Sequence, residues 1–229
     1  PARKGVEQDL AEIPLKNVLS YLLQRKQAYL GHILGISIFI MVVYALNLWG
    51  PTYFIRTFEY SRPEAGWVFG LVMILAGTFG LLTAGLLSDK LMARGIHDAY
   101  IRMILFSMLA IMPCAIALGF IENDKLAIVA MAFAIYFSAF QGGISGGALQ
   151  LMTPNRMRGQ VTALFLLAAN LIGLGLGPTV IAMVTDYIFM DEAAIGKSIA
   201  LCTLLLCPTG AFILWRSMPA IQKQLTEQG

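Results

Sequence analysis

Charged residues divide this chain into six long stretches that contain no Asp, Glu, Lys or Arg. The stretches cover residues 27–55, 65–88, 103–121, 126–155, 159–185 and 198–215. A helix crosses the ~30 Å hydrocarbon core of a bilayer with about 20 apolar residues, so each stretch is long enough to cross once. We therefore predict six transmembrane helices, with spans near residues 29–55, 65–88, 101–121, 126–152, 160–185 and 196–216.

The unbroken apolar runs also indicate the fold class. A transmembrane β-barrel would show short segments of alternating polarity, and a lipid-embedded backbone has no third way to satisfy its hydrogen bonds. We predict an all-α membrane protein with three parts: a polar lead-in over residues 1–26, a six-helix bundle over 27–218 and a tail over 219–229.

Composition narrows the function class. The chain is 58% hydrophobic and only 13% charged, whereas a soluble globular domain has about a quarter of its residues charged. This excludes a soluble globule and a disordered chain. A net charge of +3 without a basic cluster larger than a pair excludes a nucleic-acid binder, and three cysteines exclude a disulfide scaffold. No motif for a metal or cofactor is present, so we expect neither.

The distribution of basic residues predicts the orientation. With a cytoplasmic N-terminus, the inside segments carry twelve Lys and Arg residues and the outside loops carry four. Short loops rich in positive charge stay in the cytoplasm. We expect both termini to be cytoplasmic and the protein to lie in the plasma membrane, or in the inner membrane of a bacterium.

The lead-in contains a predicted amphipathic helix. Its apolar residues recur at helical spacing and are Leu15, Val18, Leu19, Leu22 and Leu23. Such a helix lies along a membrane surface. The lead-in is too polar for a signal peptide. Because the chain begins with Pro1 and not with Met, we interpret the chain as a piece of a longer protein.

Small residues recur every fourth position in three spans. They are Ala76, Gly80 and Ala84 in span 2; Ala134, Ser138, Gly142 and Gly146 in span 4; and Ala169, Gly173 and Gly177 in span 5. This spacing lets helices approach closely in lipid. We expect spans 2, 4 and 5 to be buried, and spans 3 and 6, which are richer in large apolar residues, to face lipid.

A few polar side chains occur inside the spans, where each costs free energy. For any single one, a hydrogen bond between helices is as good an explanation as a binding role. Together they favour a polar cavity between spans 1, 4 and 5. The candidate substrate-binding residues are Tyr44, Asn47, Ser138, Gln141 and Asn170.

Helix-breaking residues mark two candidate hinges near the outer ends of spans 1 and 5. Span 1 contains Pro51, and span 5 contains Gly177 followed by Pro178. Interrupted helices in transporters form moving or binding segments. The alternative is that Pro and Gly are simply common in transmembrane helices.

Enzymatic chemistry finds little support. Residues 143–146 match the Gly-x-Ser-Gly signature of intramembrane serine proteases, but that mechanism needs a general base beside the serine. The two histidines are His32, which we interpret as an interfacial residue at the cytoplasmic border of span 1, and His97 in a loop. No span carries Asp or Glu, so aspartate- and metal-dependent hydrolysis are equally unsupported. We expect a protein that is not an enzyme.

Two segments resemble the major facilitator superfamily. The end of span 2 is similar to the signature Gly-x-x-x-Asp-Arg/Lys-x-Gly-Arg/Lys-Arg/Lys that follows the eighth helix of that family. It departs from the signature at Met92 and Ala93. Residues 153–186 resemble the helix 10 to helix 11 region, and most of all that of the spinster-like branch of lipid and organic-anion transporters. The resemblance implies a cytoplasmic gate. Its residues would be those that match the signature, together with one arginine in the loop after span 4: Gly85, Asp89, Lys90, Arg94 and Arg158.

The resemblance implies an architecture and a partner. The six spans would be helices 7 to 12 of a twelve-helix transporter, with helices 7, 8, 10 and 11 around the central cavity and helices 9 and 12 outside. The substrate would bind at the bilayer midplane, between this half and an N-terminal six-helix half.

These expectations lead to a ranked set of functions. The first is the C-terminal half of a secondary active transporter that works by alternating access on a lipid-like or organic-anion substrate. Any proton coupling would use an acid in the other half, because no span here contains one. The second is a membrane scaffold or receptor that does not transport. An intramembrane protease is a remote third.

Overall fold

A computed structural model describes residues 13–228, and this range is helical throughout apart from short connections. A ten-residue helix, α1 (Leu15–Gln24), precedes six long ones. These are α2 (Lys26–Phe58), α3 (Arg62–Ala93), α4 (Ala99–Ala117), α5 (Asp124–Met152), α6 (Asn155–Phe189) and α7 (Glu192–Glu227). All six are long and apolar enough to cross a membrane, which confirms the predicted all-α fold with six spans. The third span ends at Ala117, short of the predicted residue 121.

Helix α1 occupies the segment for which we predicted an amphipathic helix at the membrane surface, and it lies against the bundle. Val18 and Leu22 are buried, whereas Leu15, Leu19 and Leu23 remain exposed. Just before α1, the carbonyl of Ile13 accepts a hydrogen bond from Gln160 Nε2 at 2.8 Å. The helix is therefore anchored to the beginning of α6 by both apolar and polar contacts.

Helix α2 is the centre of the bundle and packs along much of α7. Glycines allow this close approach. A Cβ at Gly35 would lie 3.0 Å from the carbonyl oxygen of Gly210, and a Cβ at Gly31 would overlap the Ser217 side chain. Backbones in lipid pack best where small residues face each other. Two thirds of the most apolar stretch of α2 (67%) is accordingly buried.

Within the described residues taken by themselves, α4 and α7 are more buried than α3 and α6, which is the reverse of the predicted order. In their most apolar stretches, 50% of α7 and 44% of α4 is buried, against 28% of α6 and 17% of α3. The small residues do mark close contacts, since Gly80 meets the Tyr136 carbonyl and Gly177 meets the Met41 backbone. They occupy one narrow stripe, however, and the rest of each helix exposes large apolar side chains. These are Leu71, Ile74, Leu75, Phe79, Leu82 and Leu86 on α3, and Leu166, Leu167, Leu171 and Leu174 on α6.

Three π-helical turns interrupt the two most exposed helices. One lies in α3 (Met73–Gly77), and α6 contains two (Ala169–Leu174 and Val184–Phe189). The predicted hinge residues lie inside continuous helix: α2 runs through Pro51, and the α-helical part of α6 between its π turns contains Gly177 and Pro178. Single π turns within α-helices occur frequently at functional sites.

Candidate functional site

A polar pair joins α2 to α6. The Tyr44 hydroxyl donates a hydrogen bond to Asn170 Oδ1 at 3.0 Å, and Asn170 Nδ2 donates to the Leu166 carbonyl at 2.8 Å. Asn170 lies in the first π turn of α6, and Gly173 in the same turn packs directly against Ile40 of α2. Asn170 is exposed and Tyr44 is partly exposed. The pair therefore lies at the open surface of α6.

Asn47 lies close to Tyr44 on α2, three residues further along. Its side chain is partly buried, and its Oδ1 has no hydrogen-bond partner among the described residues. A buried acceptor without a donor carries the cost of its lost hydration. Asn47 thus has a carbonyl oxygen whose hydrogen-bonding capacity is unused among the described residues.

The two candidates on α5 are not linked to this pair. Ser138 is buried and donates to the carbonyl of Ile135, in its own helix, at 2.8 Å. Gln141 is partly exposed at the beginning of the second α-helical part of α5. Of the five predicted binding residues, hydrogen bonds between the described residues bring together Tyr44 and Asn170.

A second bond between α2 and α6 was missed from the sequence. The indole Nε1 of Trp49 donates to the carbonyl of Pro178 at 2.9 Å. Buried Trp N–H groups usually find an acceptor, and this could have prompted a search for one. Because Gly177 also packs on Met41, the candidate hinge in α6 is held against α2.

At the end of α3, the predicted gate residue Asp89 contacts the beginning of α4. Its Oδ1 accepts a hydrogen bond from the Tyr100 hydroxyl at 3.1 Å, and no salt bridge involves it within residues 13–228. Lys90 and Arg94 are exposed, and Gly85 has open space beside it. Asp89 and Tyr100 therefore form a polar link between α3 and α4.

The fifth predicted gate residue, Arg158, performs a different task. Its Nε donates to the carbonyl of Thr153 at 3.0 Å. Thr153 is the C-terminal cap of α5, where helix carbonyls lack partners within the helix. Arg158 thereby ties the start of α6 to the end of α5.

The loop between α3 and α4 contains a buried carboxylate that sequence reasoning missed. Asp98 is 6% exposed; its Oδ1 is 2.8 Å from Arg102 Nε, and its Oδ2 accepts from Gln222 Nε2 at 2.7 Å. Burial alone would raise the pKa of Asp98, but the hydrogen bonds from Arg102 and Gln222 lower it below the ordinary value. Gln222 lies near the end of α7, far away in the sequence, so no local pattern marked the contact.

His32 is not the interfacial residue that we predicted. It is fully buried, its Nε2 lies 3.2 Å from the Ser145 carbonyl oxygen, and its ring packs 5.9 Å from that of Phe165. Helices α5 and α6 therefore cover it. The ring meets the backbone of Ser145 and not its hydroxyl, so this contact does not form the serine–histidine pair of a protease.

A sequence model of the Major Facilitator Superfamily matches residues 1–178. An MFS-type efflux pump of Mycolicibacterium smegmatis is 26% identical over 211 residues, which are 90% of this chain and 48% of that protein.

Two solved structures share the fold. Both are of a bacterial homologue of the human lysosomal transporter Spinster. The inward-facing unoccupied form gives a TM-score of 0.63 at 16% identity, covering 96% of this chain and 53% of that one. The inward-facing occupied form gives 0.59 at 16% identity, covering 89% and 50%. The chain thus spans about half the length of the proteins that it matches.

Proposed function

Because the chain belongs to the major facilitator superfamily and forms a six-helix half of that fold, we propose that it is the C-terminal half of a secondary active transporter that works by alternating access. An efflux pump and a transporter homologue are among its relatives. The partner would be an N-terminal six-helix half, since the chain covers 48% of the efflux pump.

The exposed side chain of Asn170 is the observation that carries this proposal. It lies in the first π turn of α6, amid a surface of exposed leucines. Apolar side chains can face lipid without cost, but an amide in the hydrocarbon core is expensive. We infer that this face of α6 adjoins a hydrated cavity shared with the other half, and not lipid alone.

The chemistry of this surface favours an amphiphilic substrate. Tyr44 and Asn170 supply a hydroxyl and an amide, Asn47 supplies an unpaired carbonyl oxygen, and the adjoining surface of α6 is apolar. We propose that Tyr44, Asn47, Asn170 and Gln141 bind a lipid-like or organic-anion substrate. The polar groups would hold its head, and the leucines of α6 would cover its apolar part.

We further propose that the gate and the hinges act at opposite ends of these helices. The contact between Asp89 and Tyr100, together with the basic residues Lys90 and Arg94, would respond to closure at the cytoplasmic side. Pro51, Gly177 and Pro178 would absorb bending near the opposite end. The π turns on either side of residues 175–183 support a deformable α6.

Thiol accessibility in the assembled transporter tests the cavity. Single cysteines would replace Asn47, Gln141 and Asn170 in a background that has Cys114, Cys202 and Cys207 changed to Ala. A membrane-impermeant maleimide should label the three sites, and substrate should protect them. A cysteine at Leu205, exposed on α7, serves as the lipid-facing control. Labelling at Asn170 no faster than at Leu205 would contradict the cavity and favour the scaffold or receptor.

A further inference from the structure

Two adjoining grooves lie between the beginning of α2 and the end of α7. The first, of about 280 Å³, is lined by residues that include Lys26, Lys223 and Gln224. The second, of about 440 Å³, is lined by residues that include Arg216 and Phe212. Gln27 and Ala220 line both grooves, so the two adjoin each other on the surface. We call the two together the α2/α7 groove.

The α2/α7 groove is strongly cationic. Arg25, Lys26, Arg216 and Lys223 all line it. The single ion pair among these four within residues 13–228 joins Lys223 Nζ to Glu227 at 4.0 Å, which is a long and exposed contact of little energetic value. Four positive side chains around a surface groove favour an anionic ligand.

One buried polar side chain in the groove, Gln224, has an oxygen that lacks a hydrogen-bond donor within the described part of the chain. Gln224 is 6% exposed, and its Nε2 donates to Glu227 Oε2 at 2.9 Å. Its Oε1 is buried and has no hydrogen-bond partner among the described residues. This oxygen can only accept, so a ligand that satisfies it must carry a donor beside its anionic group.

The position of the groove indicates a membrane ligand. It lies where the apolar stretches of α2 and α7 end, and it continues toward Phe212 and Ile213. Phe212 is 59% exposed and Trp215 is 62% exposed on the same part of α7. Exposed tryptophan is typical of the level where headgroups meet hydrocarbon. A cationic groove that leads into an apolar surface fits a headgroup with an attached acyl chain.

We propose that the α2/α7 groove binds one anionic phospholipid, phosphatidylglycerol. Its phosphate lies among Lys26, Arg216 and Lys223, and a hydroxyl of its headgroup donates to Gln224 Oε1. An acyl chain runs along Phe212. Basic pockets between transmembrane helices bind anionic headgroups in this way. Phosphatidylethanolamine has a donor but no net charge, and phosphatidic acid has the charge but no glycerol hydroxyls. The proposal is independent of what the protein transports.

Native mass spectrometry of the purified chain with added lipid tests the site. The wild type should bind phosphatidylglycerol in preference to phosphatidylcholine and phosphatidic acid. Each cation near a headgroup is worth about fivefold in affinity, so Lys26→Gln/Arg216→Gln/Lys223→Gln should weaken phosphatidylglycerol binding by about 100-fold. Gln224→Leu should reduce the preference for phosphatidylglycerol over phosphatidic acid by about fivefold, the effect of one hydrogen bond.

The control carries the same change of charge elsewhere. Lys16, Lys125 and Lys197 are exposed and do not line the groove, so their triple Gln variant should bind like the wild type. Equal losses in both triple variants, or none in the groove variant, would overturn the proposal. Displacement of the lipid by millimolar inorganic phosphate would also overturn it, because the site would then be one for free phosphate. Should the groove triple fail to fold, Lys26→Gln alone should still show the fivefold loss.

Discussion

Polar side chains within the spans differ in how fully their hydrogen-bonding groups are used. Asn170 uses both its oxygen and its nitrogen, and the Tyr44 hydroxyl has an acceptor. Ser138 turns to its own helix, as serine often does in an apolar environment. Asn47 keeps a buried oxygen without a partner within residues 13–228. Among the candidate binding residues, Asn47 is therefore the one that stability alone does not explain.

Replacing Asn47 by Leu should leave the folded state as stable as the wild type or stabilise it by up to about 3 kcal/mol, because the variant removes an unpaired buried acceptor. The matched variant Tyr44→Phe breaks a formed hydrogen bond and should cost about 0.5–1.5 kcal/mol. Reversible unfolding in mixed micelles measures both. A larger loss from Asn47→Leu than from Tyr44→Phe would show that Asn47 has a structural role.

The buried carboxylate of Asp98 should make stability depend on pH. Its folded pKa is lowered from the ordinary value of 3.8. The stabilisation is therefore fully present above that value and is lost as the pH falls through the folded pKa. We expect Asp98→Asn to be less stable than the wild type at pH 7 and the difference to vanish in acid.

Thermal melting from pH 7 to pH 3 measures the effect of Asp98→Asn. The exposed Glu122→Gln is the control and should behave like the wild type at every pH. A stability difference for Asp98→Asn that stays constant across this range would contradict the lowered pKa.

At the scale of helices, the sequence predicts what depends on local composition. The length of an apolar stretch decides whether a helix can cross a membrane, and all six spans were found this way. Which side of a helix is covered depends on its neighbours. In α3 and α6 the small residues mark where another helix comes close, but they do not determine how much of each helix is buried. His32 was misplaced for the same reason, since α5 and α6 cover it.

The candidate site was predictable in part. Tyr44 and Asn170 were expected to share a cavity because both are polar residues in the middle of apolar spans, and a 3.0 Å hydrogen bond joins them. The π turn that carries Asn170 was not predicted. Its sequence contains Asn170 and Gly173 among apolar residues, and such residues also occur in regular transmembrane helix, so no local pattern indicated a π turn.

The contact between α2 and α6 should depend on Gly177. A Cβ there would overlap the backbone of Met41, which cannot rotate away as a side chain can. We expect Gly177→Ala to destabilise the fold by about 1–3 kcal/mol. The matched control is Gly175→Ala in the same helix, where the nearest atom, the Asn170 carbonyl oxygen, is 4.0 Å away. That variant should be neutral or stabilising by up to about 1 kcal/mol. Equal melting temperatures for the two variants would contradict the close contact.

At the scale of the molecule, two surfaces have different characters. Helices α3 and α6 expose long rows of large apolar side chains, with Asn170 among those of α6. The α2/α7 groove is cationic and lies at the ends of two well-buried helices. We propose that the first surface faces a second six-helix half and that the second faces the bilayer.

The gate proposal predicts a shift in conformation. The Asp89 carboxylate accepts a hydrogen bond from the Tyr100 hydroxyl at the beginning of α4, and such a bond contributes about 0.5–1.5 kcal/mol. That is enough to change the populations of two nearly equal states. Asp89→Asn should favour the inward-open form and increase labelling of cavity cysteines from the cytoplasmic side. Tyr100→Phe should shift it in the same direction by a smaller amount. Unchanged inside labelling in both variants would contradict a gating role for Asp89.

A proton-driven transporter needs a group that changes protonation as access alternates, usually a carboxylate or histidine within the membrane. None of the thirteen acidic residues lies in the apolar part of a span, and Asp89 and Asp186 lie near helix ends. Of the two histidines, His32 is the one buried inside the bundle. We expect any coupling acid to lie in the N-terminal half and this chain alone to show no gradient-driven uptake.

The measurement is reconstitution of residues 1–229 in liposomes with an imposed pH gradient, with His32→Gln alongside. Uptake by the wild type would contradict the prediction. Loss of that uptake in His32→Gln would then assign the proton to His32, whereas its persistence would leave the end-of-helix carboxylates as the coupling groups.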